Sequence, residues 1–160
     1  MLRIQGMLNI ITVTFFGHRN IIDSVNVEKQ LEVLIRELID KNEYVVFLIG
    51  RNGEFDQCVA SAVIRVQKQY RDDNSSLDLV LPYPTAEYLN NQQYFEDYYD
   101  NIEISYEASK SHPKSAIWIR NREMIDRSDM VVCYVRQCRG GAYKARRYAI
   151  QHGKQIIDLF

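Results

Sequence analysis

Apolar runs alternate with amphipathic stretches along this chain, and the alternation sets its elements. Leu8 to Phe16 is a β-branched and aromatic run without helical spacing. It predicts a buried strand that ends at Gly17-His18-Arg19. Val27, Leu31, Leu34, Ile35 and Leu38 then recur at i, i+4, i+7, i+8 and i+11 with Glu and Lys between them, the pattern of an amphipathic helix that Ser24 or Asn26 would cap. Tyr44 to Ile49 is a second strand-like run, closed by Gly50-Arg51-Asn52-Gly53. A helix from about Glu54 to Tyr70 follows, with Phe55, Val59, Ala62, Val63 and Val66 on one face. Leu77 to Leu81 reads as a third strand, stopped by Pro82-Tyr83-Pro84.

After Pro84 the rhythm loosens. Residues 85–112 are acidic and tyrosine-rich, and predict a short helix from Glu87 to Tyr99 and a brief strand from Ile102 to Ile104. The alternation resumes with a helix from Lys114 to Arg127, a strand from Met130 to Val135, a turn at Arg139-Gly140-Gly141, a helix from Ala142 to His152 capped by Gly153, and a last strand from Gln155 to Leu159. Strands and helices in this order predict an α/β three-layer sandwich, with a mainly parallel central sheet, helices on both faces and right-handed connections. Residues 1–7, which end on a second methionine, are expected to be a leader or disordered start. Residues 8–160 are expected to form a single domain, with a tyrosine-rich insertion near 83–112.

Composition narrows the function classes. With 46% hydrophobic and 26% charged residues the chain is globular rather than disordered. A net charge of -1 provides no basic field, which argues against nucleic acid as a partner and leaves anion binding to local arginine clusters. Cys58, Cys133 and Cys138 are odd in number and lack zinc spacing, so no metal is expected, and Cys58 and Cys133 read as reduced core residues. No apolar run is long enough to span a membrane. The apolar start ends at Gly-His-Arg without a cleavage site and fits a first strand better than a signal peptide. A cytoplasmic setting is expected.

The candidate chemistry gathers at three glycine turns: Gly17-His18-Arg19, Gly50 to Gly53 and Gly140-Gly141. In an open parallel sheet such turns share the carboxyl edge, where ligands bind. None matches a dinucleotide fingerprint or a Walker loop. Arg19, Arg51 and Arg139 accompany the turns, and a phosphate at a helix N-terminus gains from a guanidinium fork. His18 is read either as a phosphate donor or general acid/base, or as a ring that fixes its turn by bonding to backbone. Asp56 either complements the dipole of its helix or reaches a ribose hydroxyl. Arg122 either pairs with Asp126 on its own helix or points into the pocket of the Gly-Gly turn. Tyr83, Tyr88, Tyr94, Tyr98, Tyr99 and Tyr106 favour packing or an oligomer contact over base stacking.

Four stretches, FFGHR, LIGRNGEFD, NREMIDRSDMVVCYV and GGAYKARRYA, resemble the SLOG superfamily, the Rossmann-like group that includes the DprA and LONELY GUY proteins. The likeness runs from Leu8 to Leu159 outside the tyrosine segment, and is closest to small stand-alone bacterial members. The resemblance implies a nucleotide or nucleotide-derived ligand across the turns, held in a homo-oligomer. It places Gly17 and Arg19 in the first ligand loop, Gly50 and Gly53 in the second, and Gly140 and Gly141 at the phosphate. Arg122 resembles the arginine before the last motif of the phosphoribohydrolases.

Those hydrolases carry Gly-Thr and then acidic residues after the paired glycines. Here Ala142-Tyr143-Lys144-Ala145-Arg146-Arg147 stands instead, so a catalytic carboxylate is missing there and only Glu54 or Asp56 remains as a substitute. The expected function is therefore binding of a nucleotide-type small molecule, as a sensor or sequestering module without turnover and without a cofactor. The ligand-binding set is Gly17, His18, Arg19, Gly50, Arg51, Gly53, Arg122, Gly140 and Gly141. A nucleotide N-glycosidase is the alternative, and a protein-interaction or nucleic-acid accessory module is a further one. A valine at Gly140 is expected to abolish binding while leaving the fold intact.

Overall fold

The structure is a computed structural model and describes residues 9–160. The expected leader, and Leu8 at the start of the expected first strand, lie outside the described residues. Strand β1 (Ile10–Gly17) is followed by α1 (Ser24–Lys41), β2 (Tyr44–Ile49), α2 (Glu54–Gln69) and β3 (Ser75–Leu81). Next come α3 (Ala86–Asn90), α4 (Gln92–Tyr98), β4 (Asn101–Ile104) and α5 (Tyr106–Ser109). The chain closes with α6 (Pro113–Asp126), β5 (Met130–Tyr134), α7 (Gly141–Gln151) and β6 (Gln155–Asp158).

The strands form one sheet in the order β4-β3-β2-β1-β5-β6, and every neighbouring pair is parallel. Registers such as Val13 opposite Phe47 and Phe15 opposite Val132 stack apolar positions on one face. On that face α1 and α2 bury Leu31, Ile35, Phe55, Val59 and Val63 against Phe15, Phe47, Leu77 and Val132. On the other, α6 and α7 bury Met124, Ile125, Ala145 and Ala149 against Phe16, Leu48 and Val131. Each fully buried ring such as Phe15, Phe47 or Phe55 contributes about 2–3 kcal/mol. This is a Rossmann-like α/β sandwich.

Three local differences from the sequence reading have physical reasons. Asp23, rather than Ser24 or Asn26, caps α1, its carboxylate accepting from Asn26 N at 3.1 Å. Strand β3 begins at Ser75 because Ser75 and Ser76 pair with Val45 and Val46, so backbone pairing overrides their polarity. The tyrosine segment breaks at Asn91 into α3 and α4. Its Phe95 and Tyr99 turn inward to the first core, while Tyr94 and Tyr106 stay exposed.

The strand order fixes the place of the site. From β1 the chain travels outward to β4, then returns to lay β5 on the opposite side of β1. The reversal opens a crevice at the carboxyl ends of β1 and β5.

Candidate functional site

At that crevice lies a cavity of about 380 Å³, lined by the ends of β1, β2 and β5 and by one side of α6. Of the residues expected there, it brings together Gly17, His18, Arg19, Gly50, Gly53, Asp56, Gly140 and Gly141. Arg51, Glu54 and Arg122 do not line it.

Each of those three has another partner or place. Arg51 turns toward the tyrosine segment, donating to Glu87 and Tyr99 at 2.8 and 2.9 Å with its guanidinium over the Phe95 ring. Its work is to clip that segment to the second turn. Burial pushes the Tyr99 hydroxyl up to about 12, against the pull of Arg51. The Glu54 carboxylate accepts from Ile21 N at 2.8 Å, so it ties the first loop to α2. Arg122 is exposed on the outer side of α6 and makes no ion pair with Asp126. Asp126 instead accepts from the Tyr148 hydroxyl at 2.6 Å.

The arginine that α6 sends inward is Arg120, only 2% exposed. It follows Ala116 and precedes Met124 by one helical turn each, all three buried, so it lies on the stripe that faces the sheet. Its Nη1 donates to Val80 O at 2.9 Å, Nη2 to Asn52 Oδ1 at 3.0 Å and Nε to Asn121 Oδ1 at 3.1 Å. A side chain at Gly50 would place its Cβ 3.0 Å from Nη1, so the guanidinium packs closely against the second turn and a larger residue there would press on it. Arg120 also lies within the field of Asp56, whose Oδ2 accepts from Asn52 N at 2.8 Å. Burial pushes the Asp56 carboxyl up, and the Asn52 N–H and the Arg120 cation pull it back. Asp56 is half-buried because one side faces the cavity while protein closes around the rest.

Close approach also explains two other glycines. A Cβ at Gly17 would sit 2.2 Å from the Phe55 ring, and one at Gly53 would sit 2.5 Å from Arg19 Cα. These residues let the first two turns lock together, and the Glu54 N to Arg19 O bond at 2.9 Å completes the lock.

The third turn is different. Gly140 has φ 91 and ψ 178, a conformation almost confined to glycine, and open space surrounds Gly140 and Gly141. Gly140 is the N-cap of α7, so no side chain caps this helix and no acidic residue stands in its first turn. The contrast with α2 is informative. That helix carries its own anions, Glu54 and Asp56, in its first turn, whereas α7 turns free N–H groups toward the cavity. Arg19 and Arg139 line the mouth and make no ion pair among the described residues. The arrangement suits an anion.

His18 holds this third loop in place. Its Nε2 accepts from Arg136 N at 2.7 Å and Gln137 N at 3.2 Å, which puts the ring proton on Nδ1. The ring lies edge-on to Tyr134, and burial lowers its pKa. Protonating Nε2 removes both acceptor bonds. Because the folded pKa lies below the unfolded value near 6.5, the stabilisation is fully present above about pH 6.5 and is lost as pH falls. The unfolding midpoint is therefore expected to drop further between about pH 7.5 and about pH 5.5 in the native protein than in His18→Gln, whose amide oxygen accepts without titrating. Parallel pH profiles would show that the ring does not carry the loop.

No family model matches the chain, and no curated protein matches it. Solved structures that share its fold include two DNA processing proteins. One is DNA processing protein A (DprA) from Streptococcus pneumoniae, at 18% identity and a TM-score of 0.69, with the match covering 93% of this chain and 50% of that one. The other is DNA processing protein A from Helicobacter pylori, described as having a unique single-stranded DNA binding mode, at 20% identity and a TM-score of 0.64, covering 94% of this chain and 65% of that one. This chain thus spans less than two thirds of either neighbour.

The second neighbour corrects one expectation. A net charge of -1 was the ground for setting nucleic acid aside, yet the fold occurs in a protein that binds single-stranded DNA. A few local cations can hold a phosphate without a basic surface overall. No helix among the described residues is long and apolar enough to cross a membrane. The chain carries a Rossmann-like fold that is shared by the DprA proteins.

Proposed function

We propose that the cavity binds one nucleotide unit, with its phosphate against the start of α7 and its remainder lying toward Asp56 and Arg120. The observation that carries this reading is the uncapped N-terminus of α7, open to a cavity of about 380 Å³ beside Arg19 and Arg139, which make no ion pair among the described residues. Backbone N–H groups and two guanidinium groups make a site for a doubly charged phosphate. The volume suits a single nucleotide.

The DprA neighbours favour a second source for the same unit, a nucleotide within single-stranded DNA. Nucleoside 5′-monophosphates and a short 5′-phosphorylated single strand, titrated by calorimetry, separate the two. Saturable binding of the monophosphate is expected, and competition by the strand places both in one cavity. A strand that binds with a steep salt dependence and is not displaced by monophosphate would move DNA binding to another surface. If neither ligand binds, the reading falls.

Turnover ranks below binding. In the N-glycosidase reading Asp56 is the carboxylate in the cavity, since Glu54 is engaged with Ile21. We further propose a reducing, cytoplasmic setting for the free thiols of Cys58, Cys133 and Cys138. Self-association through the exposed Leu89, Tyr94, Ile104 and Tyr106 is proposed as well.

A further inference from the structure

Charge is segregated along this chain, and the net value of -1 conceals it. Nine of the 21 Asp and Glu residues lie within residues 72–109, where no Lys or Arg stands. Six Lys and Arg residues lie within residues 130–157, where no Asp or Glu stands. The first stretch builds β3 and β4 with α3, α4 and α5, and the second builds β5, α7 and most of β6. Because β4 and β6 are the two edges of the sheet, folding sends the acidic stretch to one end of the molecule and the basic stretch to the other.

Local ion pairs neutralise neither end. At the acidic end Arg51, Arg71 and Arg127 pair with Glu87, Asp73 and Glu103. Glu96, Asp97 and Glu107 remain exposed there and make no ion pair among the described residues. At the basic end Asp158 holds Arg146, while Arg136, Arg139, Lys144 and Arg147 are exposed and make no such pair among the described residues. Each end also carries apolar surface. Tyr94 and Tyr106 are exposed at the acidic end. On α7, Tyr143, Arg147 and Ile150 fall at i, i+4 and i+7, one stripe of the helix, with the Arg147 guanidinium 5.8 Å from the Tyr143 ring and Ile150 exposed. Aromatic and aliphatic contacts within a charged rim have the anatomy of an interface.

These charges decide how copies of the chain meet. Two tyrosine segments face to face would set carboxylates against carboxylates, and two α7 faces would set cations against cations. Resting on the self-association read above from the tyrosine segment, we propose that the acidic end of one copy docks on the α7 face of the next, a head-to-tail contact between unlike surfaces. One molecule cannot join its own two ends, since the width of the sheet lies between them. A pair of copies leaves one acidic and one basic end free, so the assembly grows past a dimer into a ring or an open chain.

Sedimentation velocity over a series of protein and salt concentrations tests this. Species larger than a dimer are expected at about 0.05 M NaCl, with association weakened at least about tenfold at about 0.5 M, where screening shortens the reach of the charges. Glu96→Lys/Asp97→Lys gives a molecule with two basic ends, and Lys144→Glu/Arg147→Glu one with two acidic ends. Each double variant is expected to sediment as a monomer, and an equimolar mixture of the two to reassemble. All four positions are exposed and outside the cavity lining, so calorimetry with a nucleoside monophosphate is expected to give the same affinity in both variants as in the native protein. A mixture that stays monomeric overturns the contact. Dimers that persist in both variants overturn it too, and leave self-association through the tyrosines standing. A native protein that is monomeric at every salt removes both. Monomers that gather only on a single-stranded oligonucleotide, and lose it in Lys144→Glu/Arg147→Glu, assign the basic end to a polyanion and overturn docking between copies. The salt series on the native protein stands even where a variant does not fold.

Discussion

Replacing Arg120 with methionine is expected to destabilise the fold by about 3–5 kcal/mol, the largest single effect in the molecule. Methionine fills much of the same volume, so the loss is electrostatic rather than a cavity. Val80 O and Asn121 Oδ1 lose this donor at once, Asn52 Oδ1 keeps only Arg51 N, and Asp56 loses the cation that offsets its burial. Each orphaned buried acceptor costs about 1–3 kcal/mol where water cannot reach it. Lysine is expected to rescue only in part, because one ammonium cannot address three diverging acceptors. Adding Asp56→Asn to Arg120→Met is expected to recover a measurable share by removing the stranded carboxylate. Urea unfolding of the single and double variants measures both quantities. A loss under about 1 kcal/mol for Arg120→Met would show that the network does not hold the second turn.

The second large effect separates two adjacent glycines. A side chain at Gly140 must adopt φ 91, so Gly140→Val is expected to cost about 1–3 kcal/mol of stability whatever it does to binding. That corrects the expectation that this substitution spares the fold. Gly141 has ordinary backbone angles, open space around it and the first position of α7. Gly141→Val is therefore expected to leave the unfolding midpoint nearly unchanged while weakening monophosphate binding about 100-fold. The side chain blocks two charge-assisted N–H contacts, each contributing about 1.5–3 kcal/mol. Thermal unfolding and calorimetry on the two variants make the comparison. Unaltered affinity in Gly141→Val would take the phosphate away from α7.

How much of this was legible in the sequence differs by element. Short apolar runs such as Tyr44 to Ile49 and Met130 to Val135 are too brief for helices and too apolar for surface strands, so the parallel sheet followed from them. The glycine turns were visible, but their reasons were not. Gly17, Gly50 and Gly53 serve Phe55, Arg120 and Arg19, contacts that exist only once distant segments meet. Arg120 carried a readable signal, since Ala116, Arg120 and Met124 fall on one helix stripe, yet the charge of Arg122 beside Asp126 drew attention to the wrong face. His18 was left between ligand and scaffold because a ring one residue past a strand has no partner in sequence. Its partners, Arg136 N and Gln137 N, lie on the far side of the chain. Arg51 was misread for a similar reason, as Glu87 and Tyr99 belong to a segment whose packing the sequence did not specify.

The interlocking of the first two turns also limits how the molecule can vary in length. Gly53 rests on Arg19 Cα, Gly17 on the Phe55 ring, and Glu54 bonds back to both Arg19 and Ile21. An extra residue in either turn would shift one half of the lock against the other, so insertions there should be rejected together. The loop from Arg136 to Arg139 meets the rest through His18 and borders open space at Gly140. Length changes that reshape the cavity for another ligand can enter there while the opposite wall keeps its form.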